Sequence, residues 1–257
     1  MGIQRVSEGI YLLEDAGAIV TPDLKALSHR DEEGRLAKVR VGKEEAEIWY
    51  WGNNNILPYQ REELVMQNNI VPELISTKRG IVLGAGLGAY RERFEDGERI
   101  KEWVETPQPI QDWFDRVNIN QYLRRAAKEV IFHGNLFTEM IPSKTGAMIA
   151  DIQALRCRDT RAGRKRLNGE IPAYYWSEFW ARHRNQKPGD FGRTVKKIKA
   201  YQPTDEIPKT KVIHHTGDDL YDDGYYYSPA YWGGRQWIQL ANCIPEFHLA
   251  NLKHGYN

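Results

Sequence analysis

The segment from Thr106 to Leu155 constrains the fold more than any other part of the chain. Thr106 can cap a helix and Pro107 suits its first turn. Trp113, Phe114, Val117, Leu123, Ala127, Val130 and Ile131 then supply an apolar helical face, and Gly134 supplies a left-handed stop. Directly afterwards the period changes to two. Asn135–Ile141 (NLFTEMI) alternates, Pro142–Gly146 (PSKTG) turns, and Ala147–Leu155 (AMIADIQAL) returns. A helix that runs straight into an antiparallel hairpin predicts an α+β fold rich in antiparallel strand.

The rest of the chain divides into four regions around that unit. Residues 1–55 form an irregular N-terminal arm with a strand hairpin at 31–51. Residues 56–155 are helix-rich. Leu64, Val65, Val71, Leu74 and Ile75 give an amphipathic helix over Tyr59–Arg79, which Pro72 divides after Asn69 and Gly80 closes. A strand pair is expected around 81–95. Residues 156–216 are basic and strand-rich, with strands at 173–180, 194–201 and 211–216. Residues 217–257 are a loop and the start of a C-terminal helix, with Ser228 as cap, Pro229 in the first turn, and interruptions at Gly233-Gly234 and Pro245. No internal repeat stands out.

With 257 residues, of which 41% are hydrophobic, the chain can bury a sizeable core. Its mean hydropathy of −0.65 fits a soluble protein, and no apolar run approaches the ~18 residues of a membrane span. The start, MGIQRVSEGIYLLEDAG, lacks the apolar stretch of a secretory signal. Two cysteines make neither a disulfide framework nor a zinc site, and the expected setting is a reducing cytoplasm. The charge is unevenly spread. Between Arg156 and Lys211 fifteen Lys and Arg face six Asp and Glu, a balance of +9; since the whole chain carries +1, the remainder carries −8. That asymmetry fits a surface for nucleic acid or an acidic partner, and equally a set of strand edges guarded by lysine.

Few residues form a chemically suggestive pattern. In Gly80–Tyr90 (GIVLGAGLGAY), Gly84, Gly86 and Gly88 give G-x-G-x-G, one residue short of the dinucleotide fingerprint and in the wrong order of elements. A helix-to-strand joint explains them without a phosphate. His214, His215, Asp218 and Asp219 lie in HHTGDD and could hold a divalent metal for phosphodiester cleavage. On a strand, however, the two imidazoles point to opposite faces. His133, beside Gly134, suits the dipole at a helix end. Cys157 stands between Arg156 and Arg158, which would lower its pKa, yet no base accompanies it and a structural thiol is expected. Asp112 and Asp115 fit a solvated helix face better than an acid–base pair. The aromatic clusters Tyr174–Trp176, Phe179-Trp180, Tyr225–Tyr227, Tyr231-Trp232 and Trp237 suit a subunit interface, or alternatively stacking on single-stranded bases.

The order of segments resembles that of tailed-phage portal proteins. A helix leads into Ile81–Leu87 (IVLGAGL). A second ends in EVIFHGNLFTEMI (129–141), a hydrophobic, Gly-Asn, strand junction, and is followed by IQALRCRDTR (152–161). A VIHH strand (212–215) precedes a loop, then YSPAYWGGRQWIQLANCIPEFHLANLKHGYN from Tyr227 to Asn257. Portal proteins show a comparable V-I-H strand, a Ser-Pro helix start and a helix ending near Asn-Gly. The likeness covers residues 55–257, and its weight lies in the order of four individually weak signals.

This resemblance implies a portal-like fold of amphipathic helices packed with antiparallel strands and hairpins, ending in a helix. It implies a structural, non-enzymatic subunit of a ring, a dodecamer in the complete protein, at one vertex of a virion. Genome DNA would pass through that ring during packaging and ejection. Implied partners are further copies of itself, the terminase large subunit, capsid or scaffold proteins, head-tail connector proteins and the conducted double-stranded DNA. Neither cofactor, metal nor membrane is implied. The implied location is the virion, and the host cytoplasm during assembly. Portal subunits continue beyond the Asn-Gly ending into further helices, so the resemblance implies an N-terminal portion. Near-neutral charge suits passage of DNA, because a strongly basic bore would grip phosphates. The alternatives are a metal-dependent nuclease or phosphodiesterase using His214, His215, Asp218 and Asp219, and a single-stranded nucleic-acid-binding protein using the basic aromatic span.

Overall fold

The structure, a computed structural model, describes residues 3–7, 10–13, 18–20, 34–41, 43–52, 54–84, 87–95, 98–180, 195–202, 209–216 and 225–254, with side chains described from residue 34 onward except at 246, 247, 250, 251, 253 and 254. At the N-terminus β1 (Ile3–Ser7), β2 (Ile10–Leu13) and β3 (Ala18–Val20) pair antiparallel in a small sheet, where the sequence predicts irregular chain. The predicted hairpin follows as β4 (Arg35–Val41) and β5 (Glu44–Tyr50), in unbroken register from Arg35↔Tyr50 to Val41↔Glu44.

Two helices then form where one divided helix is predicted, α1 (Leu57–Met66) and α2 (Val71–Leu83). Each has proline in its first turn, where a missing N–H costs nothing. The Asn68 side chain accepts from the N–H groups of Ile70 and Val71, both at 2.9 Å, which fixes the joint. Gly80 does not close α2, contrary to expectation. It sits inside the helix, which continues through Ile81, Val82 and Leu83, because glycine weakens a helix by only ~1 kcal/mol and does not forbid it. The strand pair consequently falls later than 81–95, as β6 (Ala89–Glu95) and β7 (Glu98–Val104).

The long helix predicted from Thr106 is two, α3 (Gln108–Arg116) and α4 (Ile119–His133). Thr106 does not cap; Pro107 occupies the cap position in an extended conformation, and no side chain caps there. The break is at Asn118, left-handed at φ 49°, whose side chain accepts from Gln121 N–H at 3.4 Å. Gly134 ends α4 as expected, at φ 73°, a value that a Cβ makes costly.

The predicted hairpin after Gly134 is β8 (Asn135–Pro142) with β9 (Ile149–Leu155), and it forms one side of a six-stranded mixed sheet. The other members are β10 (Thr160–Ala162), β11 (Ala173–Trp176), β12 (Lys196–Ala200) and β13 (Lys211–Thr216), in the order β10-β11-β12-β13-β8-β9. All neighbours are antiparallel except β12 and β13. The strand expected at 173–180 stops at Trp176, after which Ser177 N–H is tied to the Asp159 carbonyl at 2.9 Å. The last element, α5 (Arg235–His254), follows a single 3-10 turn at Ala230–Gly234 and runs through Pro245 without ending there.

Alternation along the strands sends successive residues to opposite faces. One face, with Phe137, Tyr174, Ile198, Ala200 and Val212, packs against Trp51, Leu57, Leu64, Tyr226 and Trp232. The other, with Ala173 and Tyr175, packs against Val39 and Ile48 of the β4–β5 hairpin and against Trp180. Glu47 carbonyl and Arg164 N–H, 3.0 Å apart, together with an Ile48↔Gly163 bridge, dock that hairpin onto the end of β10. A third cluster, Val65, Ile75 and Phe132, joins α1, α2 and α4.

Candidate functional site

Most of the polar chemistry that draws attention in the sequence is buried where α1, α4, β8 and the turn after β9 meet. Arg161 is its centre and is completely buried. Its guanidinium donates to the carbonyls of Asn55 (2.9 Å), Cys157 (3.3 Å), Arg158 (2.8 Å) and Thr160 (2.7 Å), and to the Asn55 amide oxygen. Burial lowers its pKa, yet an arginine stays charged at any working pH. Asn55, at φ 63°, is the kind of residue that tolerates the left-handed turn presenting those acceptors. Arg161 also lies 5.9 Å from the Trp51 ring and 5.5 Å from that of Trp180, while Arg61 lies 5.8 Å from Trp51 and 4.7 Å from Trp232. Such cation–aromatic contacts strengthen when water is excluded.

Asn135, the Asn of the Gly-Asn junction, is a second fixed point. Its amide nitrogen donates to the carbonyls of His133 (2.8 Å) and Tyr227 (2.7 Å), so its oxygen is the acceptor for Tyr227 N–H at 3.1 Å. That oxygen also faces His214 Nε2 at 3.0 Å, which requires the imidazole to carry its proton on Nε2. The His214 ring stacks on Phe137 with centroids 4.3 Å apart. Burial pushes its pKa down to about 3, with His215 and Lys165 adding to the effect. His214 is thus a neutral packing residue that ties β13 to β8 and to the approach of α5.

The remaining candidates take structural places. His215 is the more exposed of the two imidazoles, as strand alternation predicts, and its pKa is lowered by partial burial. Asp218 and Asp219 lie outside the described residues, as does Gly86. Among the described residues no three His, Cys, Asp or Glu side chains gather as a metal site would require. His133 is buried, with Nε2 3.4 Å from Glu62 and 4.0 Å from Glu129, and so joins α1 to α4 rather than only meeting a helix dipole. The Cys157 thiol does not have the low pKa its arginine neighbours promise. Burial pushes it well up, and nearby Glu129 pushes further; the thiol donates to the Asn135 carbonyl at 3.0 Å. Asp112 and Asp115 accept from Gln108 and Gln111 on the exposed side of α3. Gly84 follows the last residue of α2, and Gly88 lies under the Trp103 ring, where a Cβ would stand 2.7 Å from it.

The aromatic clusters expected at an interface are instead mostly core. Tyr174, Tyr175, Trp180, Tyr226 and Trp232 are buried, and the stacked pairs Trp51–Tyr226 (4.1 Å) and Trp49–Tyr225 (4.3 Å) join the β5 end to the approach of α5. Sequence composition gave the aromatic load but not its direction, since Tyr and Trp serve cores and interfaces alike. Of what faces outward, the sequence singles out Leu74, for an apolar helix face, and Trp237, for an interface. Ile70, just before α2, and Leu74 and Ile81 within it lie on one side and are all exposed, while Ile75 is turned away from them and buried. The β6–β7 hairpin exposes Phe94 (74%) and Trp103 (76%), and α5 exposes Trp237 (75%), Leu240, Ile244 and Leu252. Apolar surface that is contiguous and exposed is where proteins meet other molecules.

Neither a protein-family model nor a curated protein sequence matches the chain. Among solved structures the fold is similar to a chain in the virion of a native gene transfer agent (GTA) particle, at 12% identity and a TM-score of 0.50, over 78% of this chain and 46% of that one. It is also similar to a chain in the neck of an empty GTA particle computed with C6 symmetry, at 11% identity and a TM-score of 0.48, over 79% of this chain and 48% of that one. This chain therefore spans just under half the length of those it matches. At such identity the likeness shows the fold, and the fold is one found in an assembled particle.

Proposed function

We propose that the protein is a structural component of a phage-type particle, and within it a portal subunit: one member of a ring through which genome DNA is packaged and ejected. The observation that carries this reading is the agreement of two independent signals. The sequence has the portal order of helix, Gly-Asn hairpin, V-I-H strand and Ser-Pro helix start, and the fold is similar to that of a chain in the GTA virion. The fate of the polar residues supports a role without catalysis. His133, Cys157, Arg161 and His214 are committed to holding helices and strands together, while apolar side chains are left facing outward on α2, the β6–β7 hairpin and α5. A ring subunit needs such outward surfaces, because each copy must bury two different faces against its neighbours. Terminase, capsid or scaffold proteins, head-tail connector proteins and the DNA in transit are the partners this role entails, and the virion its final location.

Deleting the gene in a producing strain tests this function. The reading predicts particles, or heads, that contain no nuclease-protected DNA, with protection restored when the gene is supplied separately. Particles that package DNA normally without it would contradict the reading. Magnesium- or manganese-dependent cleavage of plasmid DNA that is lost in His214→Ala would favour the phosphodiesterase instead.

A further inference from the structure

Every exposed residue of α4 is an amide or a cation: Asn120, Gln121, Arg124, Arg125 and Lys128. The last four recur at the spacing of one helical face, while Ala126 and Phe132 on the other side are buried. Residues three and four apart on a helix stand about 5–6 Å from each other at Cβ, so the three cations form one short ridge. Among the described residues none of these three side chains makes an ion pair, a hydrogen bond or a ring contact. Arg124 and Lys128, one turn apart, repel each other. The stability of the helix does not account for such an arrangement.

The carboxylates that could neutralise the ridge are engaged elsewhere. Glu129, one turn after Arg125, is turned inward, where it accepts from Cys157 N–H at 2.8 Å and faces His133. On elements packed against α4, Glu62 pairs with Arg158 and Glu139 with Lys196, each at 2.7 Å. Asp151 accepts from Ile152 N–H and from the Gln153 amide, while Asp112 and Asp115 accept from Gln108 and Gln111. Glu73, in the first turn of α2, is exposed, and among the described residues no ion pair joins it to the ridge. The result is a positive surface without internal compensation, on a different element from the basic strand region 156–211.

We propose that this ridge is a phosphate-contact surface for double-stranded DNA. The phosphate contact rests on the ridge itself; the choice of duplex DNA rests on the reading of the protein as a component of a DNA-packaging particle. The make-up of the ridge separates phosphate from protein as its partner. A protein contact needs an apolar or aromatic centre, and lysine is depleted from such contacts. Here no apolar side chain stands among the exposed residues of α4. Single strands call for rings on which bases stack. The aromatic rings of α4 are committed, since Tyr122 is held by Thr138 Oγ1 at 2.7 Å and Phe132 is buried. Duplex phosphates require neither feature: a guanidinium meets them with two parallel N–H groups and an ammonium as a point charge. Such contacts carry no sequence information. They also let protein and duplex slide past each other.

Binding of the full chain to a fluorescent DNA duplex of mixed sequence, followed by anisotropy between about 50 and 200 mM salt, tests the contact. On logarithmic axes the affinity should fall linearly with salt, with a slope of about 0.9 for each phosphate neutralised. For Arg124→Gln/Arg125→Gln/Lys128→Gln the slope should be shallower by about 2.7, and binding at low salt about tenfold or more weaker. Its circular dichroism should match wild type, because the replaced side chains are exposed. Arg124→Lys/Arg125→Lys, which keeps the charge, should retain most of the wild-type slope. A wild-type chain that does not bind at low salt, or a triple variant with the wild-type slope, would overturn the proposal. So would displacement of the duplex by poly-glutamate of equal charge, which marks an acidic protein partner, or equal affinity for the single strand. None of these results touches the particle reading, which DNA packaging in the deletion strain decides.

Discussion

Arg161 shows how a single charge can organise a junction. Five acceptors turn inward only because its guanidinium meets them, so removing it strands buried carbonyls. Arg161→Met should lower stability by ~3 kcal/mol or more, read as a shift of the urea midpoint. Lys should rescue little, having three donors and no planar fork. His214 makes a different prediction, in pH. Its folded pKa of about 3 lies below the ordinary 6.5, so the unfolded chain takes up the proton first. The stability that His214 contributes is complete above pH 6.5 and is lost as pH falls towards 3. His214→Gln should therefore show a shallower fall of the urea midpoint between neutral and mildly acid pH than wild type does. An equal slope would contradict the buried, neutral imidazole. In the sequence, His214 and its neighbour invite a metal reading. What excludes His214 from solvent, the Phe137 ring and the Asn135 amide, comes from β8, with Asn135 79 residues away along the chain, and no local pattern records it.

At the scale of elements, the sequence is most legible where chain geometry leaves one choice. Gly134 stops α4 because its left-handed backbone suits glycine, and the following period of two yields β8 and β9 close to where it places them. Legibility fails where stop signals are permissive. Gly80 is compatible with helix, so α2 outlasts it, whereas Asn118 supplies an unforeseen stop and restart within the predicted long helix. The aromatic clusters are legible as such, but burial or exposure depends on which strand lies opposite. The β6–β7 arm gives an element-scale prediction. Since Phe94 and Trp103 are about three-quarters exposed, Phe94→Ser/Trp103→Ser should change the stability of the dissociated chain by no more than ~0.5 kcal/mol per site. Self-association should nonetheless weaken, as read by sedimentation. A large loss of thermal stability with unchanged association would assign those rings to the fold instead of to a contact.

The whole molecule is a mixed sheet covered on one face by helices and aromatic side chains and partly on the other by a hairpin, with charge segregated between its basic strand region and the remainder. Among the described residues His133, Asn135, Cys157, Arg161 and His214 hold internal joints, and exposed apolar side chains on α2, the β6–β7 hairpin and α5 are among those that face outward. Those properties suit a part that works by fitting against other parts. The most direct measurement is the mass of the species formed by the full gene product across a range of concentrations, by native mass spectrometry with electron microscopy of the same sample. A closed ring of fixed subunit number, twelve in the portal reading, is the predicted result. A protein that remains a monomer at every concentration, and in the presence of the particle's other components, would contradict it.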